Sequence, residues 1–127
     1  MAMAMLIDTS KCTACRGCQV ACKQWNDLPA EETHNWGSYQ NPEHLSASTW
    51  KLVTFHEVGE GDDLRWYFAP MQCLHCTDAS CVSVCPTGAA HHVGEMVLID
   101  ETQCIGCGYC VEACPFHVPH SMPGPDG

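Results

Sequence analysis

Hydrophobic and polar positions along the chain predict short elements rather than long ones. Residues 51–58 and 64–68 are rich in β-branched and aromatic side chains, and a polar, glycine-containing stretch (residues 59–63) separates them. Two such runs joined in this way are typical of an antiparallel β-hairpin. By contrast, residues 35–42 are rich in turn formers and predict a loop.

A repeat relates the start of the chain to its later part. Asp8 and Asp100 each follow an apolar run, residues 1–7 and Met96–Ile99, and each stands four residues before a group of four cysteines, at an offset of 92 residues. The simplest interpretation is two copies of a strand, a cysteine loop and a helix, with each aspartate capping a turn. We expect residues 88–95 to form a turn leading into the second of these strands.

The cysteines form three groups with related spacing. The first group is Cys12, Cys15, Cys18 and Cys22; the second is Cys73, Cys76, Cys81 and Cys85; the third is Cys104, Cys107, Cys110 and Cys114. A short helix is expected between the third and fourth cysteine of each group, ended by Pro86 and Pro115 in the second and third groups.

Composition changes this picture, because 12 of 127 residues are cysteine. Such a density predicts a fold held together by disulfides, zinc or iron–sulfur clusters rather than by a large apolar core. The net charge of −10 argues against binding to nucleic acid or to an anionic membrane surface. No apolar run approaches the roughly 18–20 residues that a membrane span needs, and the first residues lack the basic region of a signal peptide.

Spacing favours iron–sulfur clusters over the two alternatives. Disulfides need an oxidising compartment, which nothing in the sequence indicates, and structural zinc sites usually combine two well-separated cysteine pairs. The third group matches the bacterial ferredoxin run C-x₂-C-x₂-C-x₃-C-P completely. The second matches it with two inserted residues, and the first matches the spacing but has Lys23 in place of proline.

In such runs the fourth cysteine ligates the neighbouring cluster, which predicts a crossed pairing. One cluster is predicted on Cys73, Cys76, Cys81 and Cys114, and a second on Cys104, Cys107, Cys110 and Cys85. Cys12, Cys15 and Cys18 form a partial third site, and Cys22 belongs to a partial fourth.

The predicted fold is α+β, a ferredoxin-like iron–sulfur fold with short helices, hairpins and much loop around the clusters. We expect one polyferredoxin domain over residues 1–127, with cluster-binding parts at 1–22 and 73–127 and a cysteine-free insertion at 23–72 that carries the hairpin.

Other residues have two interpretations each. The eight histidines, His91 and His92 among them, are expected at the surface or outside the ligand shell, because each group already has four cysteines. Trp25 either shields a cluster from water or belongs to the core. Arg16 and Lys23 either raise a cluster potential and contact a partner, or are solvated charges.

Four stretches carry a family resemblance. Cys12–Pro29 and Asn35–Pro42 resemble the β subunits of formate dehydrogenases, whereas Gln72–Cys76 and Cys85–Ala89 are similar to a wider set that includes nitrate, dimethyl-sulfoxide and thiosulfate reductases. The chain thus resembles the four-cluster ferredoxin-like β subunits of molybdenum or tungsten oxidoreductases, over about the first two-thirds of such a subunit. Their fourth cysteine group is absent up to Gly127, so either the sequence is truncated, which we favour, or another chain completes these sites.

The resemblance implies a non-catalytic electron-transfer subunit with [4Fe–4S] clusters, two of them complete within the chain and up to four with the missing segment. It implies a catalytic α subunit with a molybdenum or tungsten bis-pterin centre that oxidises formate or reduces CO₂, and a cytochrome or another acceptor. Three alternatives are the β subunit of another molybdopterin reductase, a free soluble polyferredoxin and a zinc-stabilised interaction module. The sequence is consistent with two compartments: the cytoplasm, or the periplasm if the chain is exported together with a partner.

Overall fold

The computed structural model describes residues 3–120, which form short helices and strands. The helices are α1 (Gly17–Trp25), α2 (Ser80–Ser83) and α3 (Tyr109–Ala113), and the strands are β1 (Leu52–Val58), β2 (Arg65–Met71), β3 (Ala90–Val93) and β4 (Met96–Ile99). Short helices with two small antiparallel sheets, β1–β2 and β3–β4, place the chain in the predicted α+β class. It divides into two compact units, one covering Met3–Gln72 and the other beginning at Cys73.

The first unit is built on the predicted hairpin of β1 and β2. The register pairs Leu52 with Met71 and Val58 with Arg65, so β2 continues three residues beyond its predicted end at residue 68. Leu52 and Val53 are each only 1% exposed and form the centre of the core of this unit. At the turn, Gly59 has a φ of +94°, and a Cβ there would lie 2.6 Å from the carbonyl oxygen of Asp63. Only glycine fits this close approach of the backbone.

Two glutamine side chains cover the free edge of β1. The backbone N–H groups of Val53 and Phe55 donate to the side-chain oxygens of Gln19 and Gln40, at 3.2 and 3.1 Å. Gln19 also donates to the carbonyl of Asn41, at 2.8 Å. Because an unpaired strand edge leaves backbone groups unsatisfied, these contacts fix α1 and the loop at residues 35–42 against the hairpin.

The second unit has a core of small residues. Its buried apolar residues are Ala79, Ala89, Ala90 and Val97. Strand β3 pairs with β4 through Ala90–Ile99 and Val93–Met96, around a turn at Gly94, whose φ is +61°. Within residues 3–120, no helix has the length and apolar character that crossing a bilayer requires.

Two strand predictions were wrong. Residues 3–7 of the expected first strand have no strand partner among the described residues, and Met3 and Leu6 are 89% and 94% exposed; residues 1 and 2 lie outside the described part. An apolar run becomes a strand only where a partner satisfies its backbone groups. Residues 90–93, predicted as part of a turn, form β3 instead, because a tight hairpin needs only about two residues between its strands.

Candidate metal centres

The three cysteine groups lie on similar loops that lead into α1, α2 and α3. All twelve cysteines are within residues 3–120, and each has a free thiol. As predicted, a short helix starts near the third cysteine of each group, and α2 and α3 end before Cys85 and Cys114. Helix α1 instead continues three residues past Cys22, because Lys23 stands where the other groups have proline.

A left-handed backbone residue precedes the second cysteine of every group. Ala14, His75 and Gly106 have φ values of +56°, +48° and +68°. The residue after that cysteine repeats the pattern in the first and third groups, with φ of +60° at Arg16 and +77° at Gly108. Left-handed conformations are costly for residues other than glycine and concentrate at functional sites, so the repeat shares backbone geometry as well as spacing.

The capping role expected for the two aspartates is confirmed. Asp8 accepts hydrogen bonds from the backbone N–H and the hydroxyl of Ser10, at 3.1 and 2.5 Å. Asp100 accepts the same pair from Thr102, at 2.9 and 2.6 Å. The hydroxyl and N–H bonds lower the pKa of both carboxyl groups, so each aspartate is charged at neutral pH and tightens the turn into its cysteine loop.

A cavity of about 110 Å³ in the second unit is lined by cysteines from two groups. Its thiols are those of Cys85, Cys104, Cys107 and Cys110, and its apolar lining includes Ala89, Ala90, Ile99, Ile105 and Val111. Burial raises the pKa of Cys110, and the charges of the nearby Cys104 and Cys107 raise it further. The cavity therefore combines four thiols with an environment of low polarity.

Three further thiols of the second unit, those of Cys73, Cys81 and Cys114, also lie near one another. Burial raises the pKa of Cys81, and the charges of Cys114 and Cys73 raise it further. Cys114 comes from the third group, so both groups of this unit have their fourth cysteine among thiols of the other group: Cys85 at the cavity, and Cys114 near Cys81.

Cys85 has the most favourable environment for a thiolate. Its pKa is lowered to about 7, and the largest cause is the hydrogen bond from the backbone N–H of Ala90. Burial acts in the opposite direction with a smaller effect than this bond, and the hydroxyl and N–H of Thr87 lower the pKa further. The N–H of Ala90 lies 3.4 Å from the Cys85 sulfur and the Thr87 hydroxyl 3.7 Å from it. Since thiolates are the metal-binding form of cysteine, Cys85 is prepared for ligation near neutral pH.

The donor set fits a cluster better than a single ion. Among residues 3–120, no three histidine, cysteine, aspartate or glutamate side chains converge closely enough to hold one metal ion. Four thiols line the cavity. A four-iron cluster takes one thiolate at each iron and so requires separated donors, whereas zinc requires four donors at one point.

Sequence reasoning missed the side chains that hydrogen-bond to cysteine sulfur. The side-chain amide of Asn26 lies 3.7 Å from the Cys22 sulfur, and the Thr87 hydroxyl lies 3.7 Å from that of Cys85. Both are close in sequence to the cysteine they contact: Asn26 follows Cys22 by four residues, just after a helix, and Thr87 follows Cys85 by two residues, in a turn. A polar residue at such a spacing after a cysteine is the signal that could have found them.

Three of the open interpretations are resolved by position. Trp25 is 89% exposed, so the interpretation as a core residue was wrong. The Arg16 guanidinium lies over the Phe55 ring, 5.0 Å from its centroid, and donates to the carbonyl of Tyr39. Lys23 donates to the carbonyls of Pro29 and Ser48, at 2.8 and 2.7 Å. Neither cation is simply solvated, because each fixes a loop that lies far from it in sequence.

Replacing Lys23 with methionine should destabilise the first unit by about 1.5–3 kcal/mol, the usual range for hydrogen bonds to charged groups. Methionine keeps the apolar stem but leaves the carbonyls of Pro29 and Ser48 without their donor. Urea unfolding followed by tryptophan fluorescence measures this, because the tryptophans at residues 25, 36, 50 and 66 all lie in this unit. The variants are compared at equal iron content.

The matched control is Lys11→Met. The Lys11 side chain is 84% exposed and makes a single ion pair, 3.7 Å from Asp8. Such a change normally alters stability by less than about 0.5 kcal/mol. Equal effects of the two substitutions would show that the Lys23 bonds contribute nothing of their own.

Comparisons with known proteins agree with this donor chemistry. A domain described as a 4Fe-4S dicluster domain matches residues 11–89, more than half of the chain, and a second with the same description matches residues 64–123. The first match includes the first and second cysteine groups, and the second match includes the second and third.

Similar proteins are iron–sulfur subunits. The chain is 42% identical, over 95% of its length, to the formate dehydrogenase-O iron-sulfur subunit of Escherichia coli (strain K12), of which it covers 41%. It is 39% identical over 97% of its length to the formate dehydrogenase 2 subunit beta (cytochrome c-553) of Nitratidesulfovibrio vulgaris, covering 61%. It is also 40% identical over 94% of its length to a thiosulfate reductase electron transfer subunit of Salmonella typhi, covering 55%.

The chain therefore spans less than two-thirds of the length of each of these relatives. The expected share of about two-thirds of the subunit is close to the 61% found for the Nitratidesulfovibrio relative and well above the 41% found for that of Escherichia coli. The matched domains and the chemistry of the twelve cysteines lead to the same conclusion. The chain belongs to the 4Fe-4S dicluster domain family, and it binds [4Fe–4S] clusters.

Proposed function

We propose that this chain is the electron-transfer iron–sulfur subunit, or part of it, of a formate dehydrogenase-type complex. The observation that carries the proposal is the cavity in which Cys85 meets three cysteines of the third group, in a chain of this family. Clusters ligated there supply one-electron redox chemistry. The formate dehydrogenase subunits from two organisms that resemble the chain over at least 95% of its length favour formate as the electron source.

We assign two clusters to the second unit with crossed ligands. One takes Cys73, Cys76, Cys81 and Cys114, and the other takes Cys104, Cys107, Cys110 and Cys85. The charges of Cys73 and Cys114 near Cys81 support the first set, and the cavity lining supports the second. The two domain matches overlap on the second group, so they leave its partner open. The division into units favours the third group, because the first group lies in the other unit.

The first group is assigned to two further clusters. Cys12, Cys15 and Cys18 supply three ligands of one, and Cys22 supplies one ligand of the other. The second unit uses the remaining eight cysteines of the sequence, so these clusters need thiolates from outside residues 1–127. Loop geometry supports a ligand role, because Ala14 and Arg16 repeat the left-handed conformations of Gly106 and Gly108.

What the chain's own residues contribute is spacing, burial and hydrogen bonding. The short loops hold the thiols, and donors to sulfur such as Thr87 and Asn26 adjust how readily a cluster accepts an electron. We further propose a catalytic subunit with a molybdenum or tungsten bis-pterin centre as the electron donor. The name of the Nitratidesulfovibrio relative, which includes cytochrome c-553, favours a cytochrome as the acceptor.

Formate-dependent reduction of the clusters tests the proposal. The native complex is purified without oxygen, its iron and zinc are counted per chain, and visible absorption is followed after formate is added. We expect brown protein whose absorption bleaches with formate as it does with dithionite. Colourless protein that holds zinc would contradict the cluster assignment, and clusters that dithionite reduces but formate does not would contradict the formate dehydrogenase assignment.

A second candidate is the electron-transfer subunit of a sulfur-compound reductase. The relative from Salmonella typhi, 40% identical over 94% of this chain, favours it. The same preparation distinguishes the two, because dithionite-reduced clusters of a thiosulfate reductase should be reoxidised when thiosulfate is added. Reoxidation by thiosulfate together with no response to formate would support this candidate.

A further inference from the structure

The turn after Cys85 directs several hydrogen-bond donors towards one sulfur. The backbone N–H of Ala90 donates to the Cys85 sulfur at 3.4 Å, and the Thr87 hydroxyl lies 3.7 Å from the same atom. The N–H of Ala89 in turn donates to the Thr87 hydroxyl oxygen at 3.4 Å. Gly88, with a φ of +71°, allows the chain to turn back so that these groups face the cysteine.

The direction of the bond from Thr87 follows from the chemistry of ligation. A thiolate bound to iron has no proton, so in the Thr87–Cys85 contact only the hydroxyl can donate. The bond that Thr87 accepts from Ala89 polarises this hydroxyl, because linked hydrogen bonds strengthen one another. The hydroxyl is thus held as a donor at a sulfur that needs one.

Thr87 is also placed beside the cavity where ligation would occur. Thr87, Ala89 and Ala90 line the cavity together with Cys85 and three thiols of the third group. Ala89 and Ala90 are 1% and 2% exposed, so the two backbone donors are fixed in buried positions. The hydrogen bond from Ala90 to sulfur is therefore partly shielded from water, which strengthens it, whereas Thr87 itself is exposed.

We propose that Thr87 is a positioning residue that raises the reduction potential of the cluster to which Cys85 contributes. The inference rests on the proposed cluster assignment of Cys85. An electron added to the cluster increases the negative charge on its sulfurs, so a donor at Cys85 stabilises the reduced form more than the oxidised form. Without the hydroxyl, the reduced form loses this advantage.

The test compares Thr87→Val with Thr87→Ser in the native complex, using redox titration followed by EPR. Valine keeps the branched shape of threonine and removes the hydroxyl, and serine keeps the hydroxyl. For the valine variant we expect the equilibrium constant for reduction of one cluster to fall about tenfold. For a one-electron couple this lowers the reduction potential by about 59 mV. Serine should restore the wild-type value, and the other clusters should not change.

Thr77→Val is the matched control. Thr77 is an exposed threonine one residue after Cys76, and among the hydrogen bonds of residues 3–120 it makes none to a cysteine sulfur. The control should leave every potential unchanged. If Thr87→Val lowers the iron content, Thr87→Ala, which removes the hydroxyl without a branched side chain, is titrated in its place.

The outcomes separate this inference from the proposed function. Full iron content with unchanged potentials in Thr87→Val would overturn the role of Thr87 and leave the cluster assignment standing. A wild-type complex without [4Fe–4S] signals would overturn both. If Thr87→Ser lowered the potential as much as Thr87→Val, the shift would come from a change in the turn, and the role of the hydroxyl would be overturned.

Discussion

Replacing Cys114 with serine should remove one cluster of the second unit and leave its neighbour in place. The crossed assignment gives Cys114 to the cluster held by the second group, and its charge is felt at Cys81. Serine oxygen is a poorer ligand than thiolate for the soft iron of a cluster. Iron per chain should fall by one cluster, and one EPR signal should disappear.

Matched substitutions identify which cluster is lost. Cys76→Ser should remove the same EPR signal as Cys114→Ser, because both cysteines are assigned to one cluster. Cys85→Ser and Cys107→Ser should remove the other signal together, since both residues line the cavity of the second unit. If Cys114→Ser removed the signal that Cys107→Ser removes, each group would hold its own cluster and the crossed pairing would be wrong.

Stripping iron from the protein with a chelator should unfold the second unit and spare the hairpin of the first. The second unit buries mainly small side chains, Ala79, Ala89, Ala90 and Val97. Burying so little apolar surface provides little stabilisation. The folding of this unit therefore depends on the free energy that metal binding supplies. The hairpin has its own core in Leu45, Leu52 and Val53.

The aromatic rings of the hairpin add to its independence from iron. Phe55 packs edge-to-face on Phe68, 5.1 Å between ring centroids, and Tyr39 on Trp66 at 5.7 Å. Such pairs contribute about 0.5–1.5 kcal/mol each beyond the area they bury.

Hydrogen exchange measured by mass spectrometry tests the difference between the units. After iron removal, peptides from residues 73–120 should exchange at close to unfolded rates, whereas peptides from residues 51–71 should keep their protection. Near-UV circular dichroism is a second readout, because all four tryptophans lie in the first unit. Protection of residues 73–120 that survives complete iron loss would show that the small core is sufficient by itself.

The sequence predicted the features that depend on local pattern. The hairpin was found because Leu52–Val58 is rich in β-branched and aromatic residues and a glycine-containing turn follows. The turns at Asp8 and Asp100 were found because both aspartates stand four residues before a cysteine group, and their partners proved to be local, two residues away. A strand at residues 3–7 was wrong because an apolar run does not reveal whether a partner strand exists.

Contacts that depend on the tertiary fold could not be predicted in the same way. Lys23 binds a carbonyl 25 residues later, and the side chain of Gln19 reaches a backbone N–H 34 residues later. Nothing in the local pattern distinguishes these residues from solvated ones. For the same reason Trp25 was misjudged, since aromatic character alone does not indicate which residues will cover a side chain.

The identical turns at Asp8 and Asp100 have a consequence for the origin of the chain. Both turns use an aspartate that accepts from a hydroxyl residue two positions later, and the loops that follow place left-handed residues at the same offset of 92 residues. Duplication of one ancestral segment, made of a turn, a cysteine loop and a helix, accounts for both copies.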